Sequence, residues 1–186
     1  MIILGVDPGT LVTGYGVIEN RNGAMKILAS GMIKNNGQSP MSHRLKVIFE
    51  KLNELTEHFQ PDEFAIETAF YGKNAQSALK LGHARGVAML AAVLRDIPTH
   101  EYSPREVKKA IVGNGAAAKE QVQFMVKSLL KMKQVPKEYD VTDALAVALC
   151  HMQRRQSSAP RAFTNWKSYV AAHPDKLRPQ RNNSLR

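Results

Sequence analysis

The chain has 186 residues, 44% of them apolar, and a formal net charge of +10. That length fits one domain of ordinary size, and the apolar content excludes wholesale disorder. Its one cysteine, Cys150, excludes an intrachain disulfide, a secreted stapled scaffold and a thiolate metal centre, while the excess of base suits a polyanion binder better than an enzyme of small molecules.

IILGV at 2–6 reads as a buried strand. TGYGVIE at 13–19 follows a Pro-Gly turn, and AMKILASGMIK at 24–34 follows the turn at Asn20–Gly23. Three strands with short connections predict an antiparallel meander. From Met41 to Phe59, Leu45, Ile48, Phe49, Leu52 and Leu55 recur at offsets of three and four, predicting an amphipathic helix. DEFAIE at 62–67 is a short strand, and Asn74 to Arg95 an Ala- and Leu-rich helix. A strand near 98–102 precedes a helix opened by Ser103-Pro104. The glycines of 112–118 break the chain before a helix over 119–132, and Asp140 begins the last helix. This order predicts an α/β sheet of mixed direction, three antiparallel strands followed by parallel ones, with helices on both faces.

One domain over 1–152 is expected, followed by a basic, partly disordered C-terminal extension over 153–186. The extension holds eight basic residues and one acid, +7, and reads as loop and linker, with Phe163, Trp166, Tyr169 and Val170 at helical spacing in a segment that Thr164 or Asn165 could cap. The apolar start and GVAMLAAVL at 86–94 are too short for a membrane span, so the expectation is a soluble intracellular protein.

Asp7 ends the first strand and Glu67 the fourth. If these strands are parallel neighbours, both carboxylates emerge at one carboxyl-terminal sheet edge, where open α/β folds bind ligands. Asp140 and Asp143, three apart, share a helix face. Each could instead be a turn former, a strand-end acid or a helix cap. Together they would repel unless divalent cations neutralise them. The histidines are scattered along the sequence, and oxygen-only ligation suits Mg²⁺ or Mn²⁺. Two such ions about 4 Å apart clamp a phosphodiester for in-line attack by water. A basic band over 105–137, which includes Lys108, Lys109 and Lys119, lies between the acidic segments. DPGT also opens the phosphate loop of sugar kinases and actin-like ATPases, but the second loop those proteins need is missing. Gly14 and Gly16 bare one face of the second strand, either for close approach of DNA or for a tight packing contact. Gly82 and Gly86 suit a close helix contact, within the chain or between subunits.

LGVDPGTLVTGYGVIE, AIETAFYGKNAQSALKLGHARG, YSPREVKKAIVGNGAAAKEQVQ and DVTDALAVALCH, in this order, resemble the RuvC-type Holliday junction resolvases across 1–152. The resemblance implies an RNase H-like fold and a bacterial cytoplasmic protein, nucleoid-associated during repair. It implies a homodimer that nicks two strands of a four-way DNA junction symmetrically with Mg²⁺, alongside the RuvAB branch-migration complex. The family's four acids fall on Asp7, Glu67, Asp140 and Asp143, with Asp140 at a position where the family varies. Its two functional lysines match Lys108 and Lys119, and its stacking aromatic matches Phe70. Tyr71, Lys73 and Lys109 are further candidate DNA contacts. An exposed aromatic pair after Glu67 suits stacking on an unpaired base, or Phe70 closes the local core.

Overall fold

A computed structural model describes residues 1–68, 75–134, 136 and 138–158, with the backbone alone for 156–158. β1 (Ile2–Asp7), β2 (Val12–Arg21) and β3 (Ala24–Lys34) form the antiparallel meander. Its second turn holds Asn22 and Gly23 at φ 53° and 85°, the left-handed pair that a tight hairpin demands. α1 (Met41–Phe59) then crosses to β4 (Glu63–Glu67), which lies parallel to β1. α2 (Ala75–Val93) leads to β5 (Thr99–Tyr102), parallel to β4. The sheet order is β3-β2-β1-β4-β5, the mixed sheet that the sequence predicts.

Three helices follow: α3 (Pro104–Val112), α4 (Lys119–Leu129) and α5 (Tyr139–Ser158). Ser103 and Glu106 close a capping box on α3, with Pro104 at its first position. α5 continues to Ser158, past the point where the sequence turns polar. Gln153, Arg154 and Arg155 are good helix formers, so the change in composition marks a change in exposure rather than a helix end. By internal contacts the chain divides into Met1–Gln153 and Arg154–Arg186.

Strand alternation sends the apolar side chains to two cores. Leu4, Val6, Phe64 and Ile66 are fully buried on the face covered by α1 and α2, against Ile48, Leu52, Ala84 and Ala88. Ile3, Ile18 and Ala65 face the other way, toward Val107 and Ile111 of α3, Val122 and Val126 of α4, and Leu145 and Leu149 of α5. Cys150 is buried there as a small apolar side chain. Each buried aliphatic side chain contributes roughly 1.5–3 kcal/mol, so both cores hold the sheet between helix layers.

Glycine sets how closely α5 lies on the sheet. A Cβ on Gly14 would overlap the Asp140 carbonyl oxygen, and one on Gly5 the Ala144 carbonyl oxygen. On Gly16 it would come 2.6 Å from Leu145 Cδ2. The bare face of β2 is therefore filled by α5 and is not free for DNA. Gly82 and Gly86, in contrast, have nothing among the described residues within 4 Å of an added Cβ, so no contact with those residues requires them.

Candidate active site

β1 and β4 run parallel with Val6 beside Ile66, so Asp7 and Glu67 follow side by side at one sheet edge. On its other side Asp7 pairs with Gly14, whose missing side chain admits the start of α5. That contact brings Asp140, in the first turn of α5, and Asp143, one turn on, to the same edge.

The charges show how the four acids are arranged. Burial, then the charges of Asp143 and Asp140, push the Asp7 carboxyl up to about 7, against the pull of Lys119. Burial, then Asp7 and Asp143, push Glu67 up to about 8, opposed by Lys119 and Lys108. Asp143 thus acts on both strand-end acids, and Asp140 is felt at Asp7. A site that holds two carboxylates this reluctantly in their charged form lacks positive charge.

Lys119 supplies part of it from the first residue of α4. Its ammonium donates to Asp143 Oδ2 at 3.1 Å and lies 5.7 Å from the centre of the Tyr139 ring. Desolvation of the lysine works against its charge, but the hydrogen bond to Asp143 and the surrounding acids outweigh it and raise its pKa. Its side chain remains 58% exposed, so the charge also faces solvent. Tyr139 is fixed in turn by donating to Glu120 Oε1 at 3.2 Å.

The structure therefore gathers Asp7, Glu67, Asp140, Asp143, Lys119 and Lys108 from five elements. Lys109, the next residue on α3, is exposed. Phe70, Tyr71 and Lys73 lie outside the described residues, as do Phe163, Trp166, Tyr169, Val170 and the rest of 159–186. A cleft of about 910 Å³ bounded by β2, β3 and α1 lies on the opposite face of the sheet and contains none of the four acids.

Two features escape the sequence. Tyr139 reads there as an ordinary residue before a helix, because its partners Lys119 and Glu120 lie about twenty positions away. The scattered histidines are a correction: His100 and His151 converge on Glu63, with one ligand atom from each of the three residues within 4.8 Å of the others. No spacing signal announces a trio at 63, 100 and 151, since only the fold brings it together.

The family model described as crossover junction endodeoxyribonuclease RuvC matches residues 3–151. The chain belongs to the RuvC family. A RuvC crossover junction endodeoxyribonuclease of Salinibacter ruber is 44% identical over 177 residues, covering 95% of this chain and 99% of that one. Its counterpart from Tolumonas auensis is 52% identical over 156 residues, covering 84% and 89%. A solved structure of Thermus thermophilus RuvC in complex with Holliday junction substrate is similar at TM-score 0.80 and 33% identity, over 85% of this chain and 97% of that one. The expected RuvC resemblance and its α/β fold are thus borne out. Among the described residues no helix is long and apolar enough to cross a membrane.

Proposed function

We propose that this RuvC-family protein is a cytoplasmic, structure-selective endonuclease that resolves four-way DNA junctions by paired nicks, with its four acids holding Mg²⁺. The observation that supports it most is the strand-end pair Asp7 and Glu67, whose carboxyls burial and then the neighbouring acids push up to about 7 and about 8. The donor set fits a hard divalent cation: it is all carboxylate oxygen, and Lys119 offsets only part of the repulsion. When bound, Mg²⁺ or Mn²⁺ supplies the missing charge and the Lewis acidity for hydrolysis of a phosphodiester.

The side chains around the acids have separate tasks. Asp7 and Glu67, fixed at adjacent strand ends, are the rigid half of the ligand set. Asp143 links it to the helix, and Asp140 completes it beside Asp7. Lys119, held by Asp143 yet exposed, meets the DNA phosphate at the edge of the acid cluster, and Lys108 lends a second positive charge near Glu67. Phe70, Tyr71, Lys73 and Lys109 extend the DNA-binding surface.

Two matched nicks require two copies of the site. α2 buries Ala84, Ala88, Ala91 and Ala92 inside the domain while Leu79, Leu90, Val93 and Leu94 stay 49–64% exposed beside the open Gly82 and Gly86. This apolar surface supports a homodimer through α2. Sedimentation equilibrium of the full chain gives twice the monomer mass on this reading, and a monomer at micromolar concentration refutes it.

The nuclease reading is tested with Asp7→Asn on a synthetic four-way junction. We expect Mg²⁺-dependent cutting to fall about 10³-fold while junction binding persists. Undiminished cutting by the variant, or equal cutting of linear duplex by the native protein, overturns it.

A further inference from the structure

β4 carries a glutamate at each end, and α5 carries acids in its first turns and a histidine further along. Glu63 stands four residues before Glu67 on the same face of β4, about 13 Å away along a strand. His151 follows Asp143 by eight residues, about 12 Å along a helix. The trio of Glu63, His100 and His151 is therefore separate from the four acids. His100 reaches it from β5, on the same strand face as Tyr102.

Both imidazoles address one carboxylate oxygen. His100 Nε2 lies 3.2 Å from Glu63 Oε2, and His151 Nε2 is hydrogen-bonded to the same atom. The two rings stack with centroids 4.4 Å apart. Glu63 and His151 are buried at 6% and 1% exposure, while the His100 side chain is 39% exposed and opens the trio to solvent.

Behind His151 stands Tyr102, whose hydroxyl oxygen lies 2.6 Å from His151 Nδ1. A ligand imidazole is oriented by a hydrogen bond at its second nitrogen, and Tyr102 occupies that place. Without a metal, Nε2–H donates to Glu63 and Nδ1 accepts from Tyr102. With Nε2 on a metal, the proton moves to Nδ1, which then donates to the tyrosine oxygen. Both states leave every polar atom of His151 satisfied.

We propose that Glu63, His100 and His151 form a second metal site, for Zn²⁺, with Tyr102 as the residue that orients His151. Two imidazole nitrogens and one carboxylate are a zinc donor set and a poor one for Mg²⁺. With metal–ligand distances of 2.0–2.1 Å, tetrahedral ligand atoms stand about 3.3 Å apart, close to the separation between His100 and Glu63. Zn²⁺ takes the position of the protons that Glu63 now accepts, and solvent on the His100 side completes its coordination. The ion ties the first residue of β4 to β5 and α5 and so stabilises the folded body. The site depends on none of the four acids, so its failure and that of the nuclease reading are distinguishable.

Co²⁺, a visible stand-in for Zn²⁺, is titrated into the full-length protein and into Asp7→Asn. We expect the intense absorption of a four- or five-coordinate ion in both, saturating at one ion per chain, lost in His100→Gln and displaced by Zn²⁺. Tyr102→Phe weakens Zn²⁺ affinity about tenfold. Zn²⁺ raises the Tm of the native protein. Only the weak absorption of octahedral Co²⁺, a strong band that survives His100→Gln, or one that vanishes in Asp7→Asn overturns the proposal. The native and Asp7→Asn titrations decide the matter even where His100→Gln fails to fold.

Discussion

β4 holds a glutamate at each end, and the two meet opposite surroundings. Glu67 is pushed toward its neutral form by burial and then by the charges of Asp7 and Asp143. Glu63 is at least as deeply buried, yet it stands against two imidazoles that can donate to it. Burial alone does not decide what a carboxylate is for; its neighbours do. At one end the strand lacks positive charge and suits a hard cation. At the other, nitrogen donors already surround the oxygen.

The sharpest way to break this comparison is to make the same substitution at both ends. Glu63→Gln replaces a paired, buried carboxylate and should cost about 2 kcal/mol in urea unfolding of the metal-free protein. Glu67→Gln removes an uncompensated charge and should stabilise by about 1 kcal/mol at pH 8. Two losses of equal size would erase the distinction.

Gly14→Ala tests what holds the acidic end together. Its Cβ would overlap the Asp140 carbonyl, so α5 must lift from the sheet, at about 1–3 kcal/mol by analogy with overpacked cores. Cutting should fall together with stability. By contrast, the Cβ added in Gly82→Ala meets nothing within 4 Å among the described residues, and this variant should leave the fold of the isolated subunit unchanged.

A further effect is one of pH. Asp7 and Glu67 have folded-state values of about 7 and 8 against ordinary ones of 3.8 and 4.5. Between roughly pH 4 and 8 the folded state holds more protons than the unfolded state, so this stabilisation is complete below the ordinary values and is lost as pH rises through the folded ones. The Tm of the metal-free protein should thus be lower at pH 8.5 than at 5.5, Mg²⁺ should recover the difference, and Asp7→Asn should flatten the slope. A slope unchanged by that variant would place the titration elsewhere.

Much of this was legible in the chain because it is local or periodic. The β3 limits coincide with the apolar run at 24–34, and α1 with the three-and-four spacing of Leu45 to Leu55. The parallel pairing of β1 and β4 brings Asp7 and Glu67 to one edge once the strands are recognised. The convergence of Glu63, His100 and His151 was not legible, because it depends on the register of β5 and on the depth to which α5 reaches. Gly14 and Gly16 were readable as a bare face, but only the placement of Asp140 and Leu145 shows what fills it.

The contact of α5 with Gly5 and Gly14 is main chain against main chain. Such a contact has no rotamers, so the helix has no soft coordinate along which to drift. Asp140 and Asp143 inherit that stiffness, and their distance from Asp7 is held without a cushion of side chains that could breathe. A centre that must meet a developing charge without rearranging gains from this rigidity, since its dipoles stand ready before the substrate arrives.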